Sequence, residues 1–230
     1  MYRMAWVAVL LLACEARADL IAYWNFNSFN GTATTISADQ GSGTLQVTGF
    51  PDDDLHNLAG TLLNALGTDL AGASLTLENN LNNGDFITLA FSMADRTDLV
   101  LSYATRRTST GFNSNQWSYS NDGIVFTNFG SPVVPPSTTA FGLVNLDFSS
   151  VASLANESSV FLRYSLNGAS AATGNNRIDN IQLNATAMTN TMTPEPSSLV
   201  LFGLGSLGVV ALKRARDRRQ RVGSSRLSLP

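Results

Sequence analysis

The sequence predicts an all-β fold, an antiparallel β-sandwich of the jelly-roll kind, and three observations predict it. Apolar residues recur with a period of two in short runs, the pattern of strands with one face turned inward. Asn, Ser, Thr and Gly crowd between these runs, marking turns and exposed strand faces and disfavouring long helices. About ten such runs at this spacing suit two packed antiparallel sheets.

In chain order the expected strands are 20–27, 44–50, 74–77, 85–92, 98–105, 116–120, 124–129, 143–148, 160–166 and 177–184. Asn83-Gly84 marks a turn before the fourth of these. Asn121-Asp122-Gly123 is the sharpest local signal, because Asp-Gly supplies the positive φ angles of a tight hairpin turn joining 116–120 to 124–129. Only 54–71 hints at helix, through Leu55, Leu58, Leu62, Leu63 and Leu66, and Gly60 and Gly67 weaken that reading. Trp24, Phe26, Phe86, Phe91, Tyr103, Trp117, Tyr119, Phe126, Phe148, Phe161 and Tyr164 supply the apolar volume of a core.

Both ends of the chain read as export signals. Residues 1–18 combine Arg3, the apolar run 5–13 and Ala16-Arg17-Ala18 before Asp19, the form of a signal peptide with an A-x-A cleavage site. Leu11-Leu12-Ala13-Cys14 leaves a lipoprotein signal open as the alternative. At the other end Pro194-Glu195-Pro196 precedes an uncharged run, 199–212. Lys213, Arg214, Arg216, Arg218, Arg219 and Arg221 follow at once. An apolar helix crosses lipid because its backbone groups satisfy one another, and a basic cluster stays on the cytoplasmic side. Fourteen helical residues span roughly 21 Å against a bilayer core of about 30 Å, a poor permanent anchor but adequate for a transient one.

This tail, 191–221, resembles the PEP-CTERM sorting signal of Gram-negative bacteria. The resemblance implies a substrate of an exosortase, a membrane enzyme that recognises and processes such tails. Pro194, Glu195 and Pro196 would then be the recognition motif, 199–212 a transmembrane helix and Lys213 to Arg221 the membrane stop. Residues 222–230 are expected to be a disordered tail. An ordinary membrane anchor is the alternative reading.

Between the signals lies one ectodomain, 19–190. Residues 19–193 hold fourteen acidic and five basic side chains, a formal charge of −9 that the whole-chain value of −3 conceals. Such a surface repels phosphate backbones and argues against a nucleic-acid partner. Cys14, the one cysteine, falls in the signal peptide, so the mature domain has neither disulfide nor thiol nucleophile. The phrases AYWNFN (22–27), LSYATRRTSTGFNSNQWSYSNDGIVFTNFGS (101–131) and VFLRYSLNGASAATGNNRIDNIQLNA (160–185) resemble an ectodomain of bacterial surface proteins, itself similar to lectin-like and carbohydrate-binding jelly-roll modules.

Candidate sites follow from residue chemistry. Trp24, Trp117 and Tyr119 are candidates for stacking on sugar rings, with Arg106 and Arg107 to bond hydroxyls. Trp117 and Tyr119 lie two apart on one strand face, which favours the core for that pair. His56, the only histidine, has no second His or Cys with which to hold zinc and reads as a solvated loop residue. Structural calcium is considered at Asp52-Asp53-Asp54, or at Asp19 with Asp179 or Asn180. The ectodomain holds two glutamates, Glu78 and Glu157, without a hydrolase motif around them. The expectation is therefore a non-catalytic protein of the surface or extracellular matrix with polysaccharide as a candidate partner. A purely structural surface component and a glycan hydrolase are the alternatives.

Overall fold

A computed structural model describes residues 18–188 and the single position Arg214. Strands are numbered in chain order: β1 (Ala18–Trp24), β2 (Thr35–Ser37), β3 (Gln40–Gly41), β4 (Thr44–Thr48), β5 (Leu55–His56), β6 (Leu75–Glu78), β7 (Phe86–Phe91), β8 (Arg96–Arg107), β9 (Asn115–Ser120), β10 (Thr127–Val133), β11 (Gly142–Asp147), β12 (Val160–Ser165) and β13 (Asn175–Ala187). They form two sheets in which every pairing is antiparallel. Sheet A runs β11-β8-β13-β1-β3, with β6 also on β13 and β5 on β6; sheet B runs β10-β9-β12-β7-β4-β2.

Nine of the ten expected strands are present and the fold class is the expected one; of 124–129 only 127–129 is strand, the start of β10. β2, β3 and β5 were not foreseen, since two or three residues carry no periodicity. The helix hinted at over 54–71 is absent. Leu55 begins β5, Ala59 bridges Ala73, and the rest is turns and irregular chain. The hairpin at 121–123 is also longer than expected. Tyr119 pairs Thr127, so six residues, 121–126, form the connection. The expected membrane span 199–212 lies outside the described residues, among which no helix is long and apolar enough to cross a bilayer.

Alternation builds the core between the sheets. In β12 Val160, Leu162 and Tyr164 are buried while Phe161, Arg163 and Ser165 are half-exposed. In β7 Ile87, Leu89 and Phe91 point the same way. The aromatic centre is Trp117 stacked on Tyr164 at 4.6 Å, with Tyr103 edge-on to both at 5.6 and 5.8 Å. Their polar atoms are satisfied: Trp117 Nε1 donates to Tyr103 Oη at 3.0 Å and Asn115 Nδ2 to Tyr164 Oη at 3.0 Å. Burial pushes the Tyr164 phenol up to about 12, so the ring stays neutral and apolar.

The chain between β5 and β6 lies across the outer face of sheet A. Tyr23 and Ser102 alternate with inward Ala22, Trp24, Leu101 and Tyr103, so they point outward, yet Tyr23 is fully buried. The covering loop is held by polar side chains. Asn180 Nδ2 donates to Thr61 O at 2.7 Å and Leu63 O at 3.0 Å, and its Oδ1 accepts from Tyr23 Oη at 2.7 Å. Asn64 Nδ2 donates to Asn180 O and Gln182 Nε2 to Asn64 O, both at 2.7 Å. Asn180 reaches them from a bulge in β13, where it takes φ 51. Gly60 permits the close approach, since a Cβ there would run into Ala71 O and the Asp179 carboxylate.

Candidate functional site

The outer face of sheet B is different: it stays largely open. Register aligns one outward residue per strand into a row, Asn128, Ser118, Arg163, Thr88, Gln46 and Thr35. At about 4.8 Å between strands the row runs roughly 24 Å across the sheet. Its side chains are hydroxyls, amides and one guanidinium; Ser118 among them is buried, its hydroxyl turned to Arg163 O. Neighbouring rows carry Phe161 opposite Ala90 and Ser165 opposite Phe86.

Arg163 is the centre of this face. Its guanidinium carbon lies 4.1 Å from the Phe86 ring centroid and 3.6 Å from that of Phe126, so the cation is sandwiched between two phenyl rings. Burial draws its pKa below the usual arginine value. Nε is buried without a hydrogen-bond partner. Among the five arginines of the ectodomain, Arg163 alone has neither an acidic partner nor a side-chain hydrogen bond among the described residues. Arg96 reaches Asp19 at 3.7 Å, and Arg106, Arg107 and Arg177 bond carbonyls.

The 121–126 loop supplies one side of the sandwich, and its shape is set locally. Asp122 accepts from Ile124 N at 2.8 Å, Val125 N at 2.9 Å and Ser120 Oγ at 2.7 Å, bonds that hold its carboxyl below the usual range. Gly123, at φ 71, passes over the Phe161 ring, 3.3 Å from where its Cβ would stand. The result is a flap that places Phe126 over Arg163 and leaves Ile124 and Val125 exposed at its tip.

The residues singled out from sequence do not converge. Trp24 and Trp117 are 0% and 1% exposed, so neither offers a ring face to a sugar. The stacking candidacy of Trp24 is corrected by the core that claims its ring, and Trp117 sits in the core as its strand spacing favoured. Tyr119 is half-buried against the core and lines a pocket of about 200 Å³ with Ser120, Asp122, Val125, Thr127 and Ser153. Arg106 and Arg107 stand at the end of β8 in the other sheet. Arg106 donates to Thr139 O at 2.8 Å, and Arg107 clamps Pro135 O, Thr108 O and Ser109 O. Conversely Phe86, Phe126 and Phe161, expected in the core, are half-exposed around Arg163. The signal for this was present, because alternation through VFLRYS turns Phe161 and Arg163 away from Leu162 and Tyr164.

The acidic candidates act as fasteners. His56 is on β5 rather than in a loop, with Nε2 3.9 Å from Glu78 Oε2. Asp52–Asp54 form a 3-10 turn in which Asp54 accepts from Asn79 and Asn82. Asp179, fully buried, accepts from Thr61 N at 2.7 Å and Asn180 N at 2.8 Å. Burial pushes its pKa to about 7, suited to general acid–base work, but the covering loop leaves no room for substrate. Among the described residues no three acidic, His or Cys side chains gather as metal ligands.

The sorting-motif residues Pro194, Glu195 and Pro196 lie outside the described residues, as does the basic cluster apart from Arg214, which is exposed. Residues 193–216 match the PEP-CTERM protein-sorting motif. The chain thus carries a PEP-CTERM sorting signal. No curated protein matches the chain. Distant likenesses exist among solved structures. A xylan-binding domain from Paenibacillus barcinonensis is 11% identical, with TM-score 0.44 over 76% of this chain and 99% of that one. The module TmCBM61, solved with beta-1,4-galactotriose, is 7% identical, with TM-score 0.42 over 69% of this chain and 92% of that one. The K1 cleaved adhesin domain of Lys-gingipain from Porphyromonas gingivalis is 11% identical, with TM-score 0.39 over 70% and 95%.

Proposed function

We propose that this chain is an exported protein that an exosortase-type enzyme processes through its PEP-CTERM tail. It is delivered to the cell surface or extracellular matrix of a Gram-negative bacterium, where the ectodomain holds polysaccharide without turning it over. The tail match supports the sorting half of this reading. The observation that carries the binding half is the open face of sheet B. Phe86, Phe126 and Phe161 are half-exposed there beside a straight row of hydroxyls and amides. A surface that sets partly exposed apolar rings beside hydroxyls and amides suits a chain of sugars, which offers both apolar patches and hydroxyls.

Two measurements test it. Intact mass and fractionation in the native cell should give a shortened protein outside the inner membrane, and replacing Pro194-Glu195-Pro196 by alanines should leave it full-length and membrane-trapped. An unprocessed tail in both would leave a plain anchor. Affinity electrophoresis of the purified protein through polysaccharide gels should show retardation that F161A diminishes without unfolding. Migration unaffected by every polymer would favour the purely structural surface component.

A further inference from the structure

We infer that the open face of sheet B recognises a carboxylate-bearing polysaccharide, a uronate polymer, through the guanidinium of Arg163. This rests on the polysaccharide-binding reading and narrows its ligand class. Phe86 and Phe126 cover the two faces of the guanidinium. A ligand therefore approaches in the guanidinium plane, the direction from which a carboxylate forms paired N–H···O bonds.

A purely structural pin is a poorer account of this residue. A leucine or methionine would fill the gap between the two rings without leaving Nε–H buried and unpaired. The other four arginines of the ectodomain are engaged with Asp19 or with backbone carbonyls; Arg163 keeps its charge uncompensated among the described residues. Thr88 lies beside it on one adjacent strand, and Gln46 and Asn128 extend the row to either side, while Ser118 on the other adjacent strand is buried. Sugars on either side of a bound carboxylate would meet these hydroxyl and amide groups. The surrounding surface supplies specificity of another kind. Fourteen acidic residues against five basic ones repel polyanions in general, so retention depends on one fitted contact rather than on a broad positive field.

The test is affinity measurement of the full-length protein on polygalacturonate and alginate, each beside its carboxyl-reduced neutral counterpart, with dextran sulfate as a third kind of polymer. At least one uronate polymer should bind about ten- to a hundredfold more tightly than its reduced form, the range of a charge-assisted hydrogen bond. R163Q should abolish that preference, R163K should restore only part of it, and added salt should weaken it. The wild-type comparison needs no variant; thermal melts confirm that R163Q and R163K are folded. Equal binding of uronate and reduced polymers, unchanged in R163Q, would overturn the carboxylate assignment and leave polysaccharide binding standing. Dextran sulfate bound as tightly as the uronates would overturn it too, because charge density alone would then be read. Retention of none of the five polymers would sink both readings.

Discussion

The two outer faces of this sandwich are built from similar residues and used in opposite ways. Over sheet A the 57–73 segment is bonded down by Asn180, Asn64, Gln182, Tyr23 and Asp179, and the face is sealed. Over sheet B only the short 121–126 flap folds back, and it bonds mainly to itself and to Ser120. A polar face therefore becomes structure where its amides reach backbone partners, and stays available to a ligand where they do not. The difference is one of satisfied hydrogen bonds rather than of polarity.

Breaking the sealed face should cost most. N180A removes the acceptor of a buried phenol and the donor to two carbonyls, so it should destabilise by about 3 kcal/mol or more. Urea unfolding reads the loss, and protease cutting within 57–73 reads the release of the loop. G60A should cost about 2 kcal/mol by forcing a methyl group against Ala71 O and Asp179. A loop that stays protected in both variants would end the contrast between the faces.

Asp179 sharpens the comparison through pH. Its pKa is raised from 3.8 to about 7 by burial, so the folded protein holds a proton that the unfolded chain releases. The stability it contributes is fully present below about pH 3.8 and is lost as pH rises through about 7. The urea midpoint of the wild type should therefore fall more between pH 4.5 and 8 than that of D179N. Parallel pH profiles would mean that the carboxyl is solvated. On the open face the effects on stability should be smaller. F126A should cost about 1 kcal/mol by removing one wall of the cation sandwich. Q46A should shift stability by less than about 0.5 kcal/mol, and both should weaken polysaccharide retention. A large melting-temperature loss in Q46A would show this face to be structural as well.

Strands were legible because inward and outward residues alternate within a few positions. The sorting tail was legible for the same reason: its three parts are adjacent in the chain. The sealed loop was not. Leu55, Leu58, Leu62 and Leu66 have helical spacing, but Leu62 is exposed and what holds the segment is Asn180, more than a hundred residues away. Tryptophans drew attention as sugar-stacking candidates although large aromatics serve cores equally well, and here Trp24 and Trp117 do so. The Arg163 site was readable in part, from alternation in β12. Its second wall, Phe126, comes from a flap whose length is set by Ser120 and Asp122 side chains, which a dipeptide turn signal does not encode.

The place where the ectodomain ends has a mechanical meaning. β13 is a central strand, bonded to β8 on one side and to β1 and β6 on the other, and Ala187 at its end leads toward the sorting tail. A pull on Ala187 along the strand axis would draw β13 lengthwise. The hydrogen bonds on both its edges are then loaded in shear and must yield together, whereas an edge strand such as β11 would peel one bond at a time. A load entering the ectodomain at Ala187 would thus meet a strand bonded along both edges.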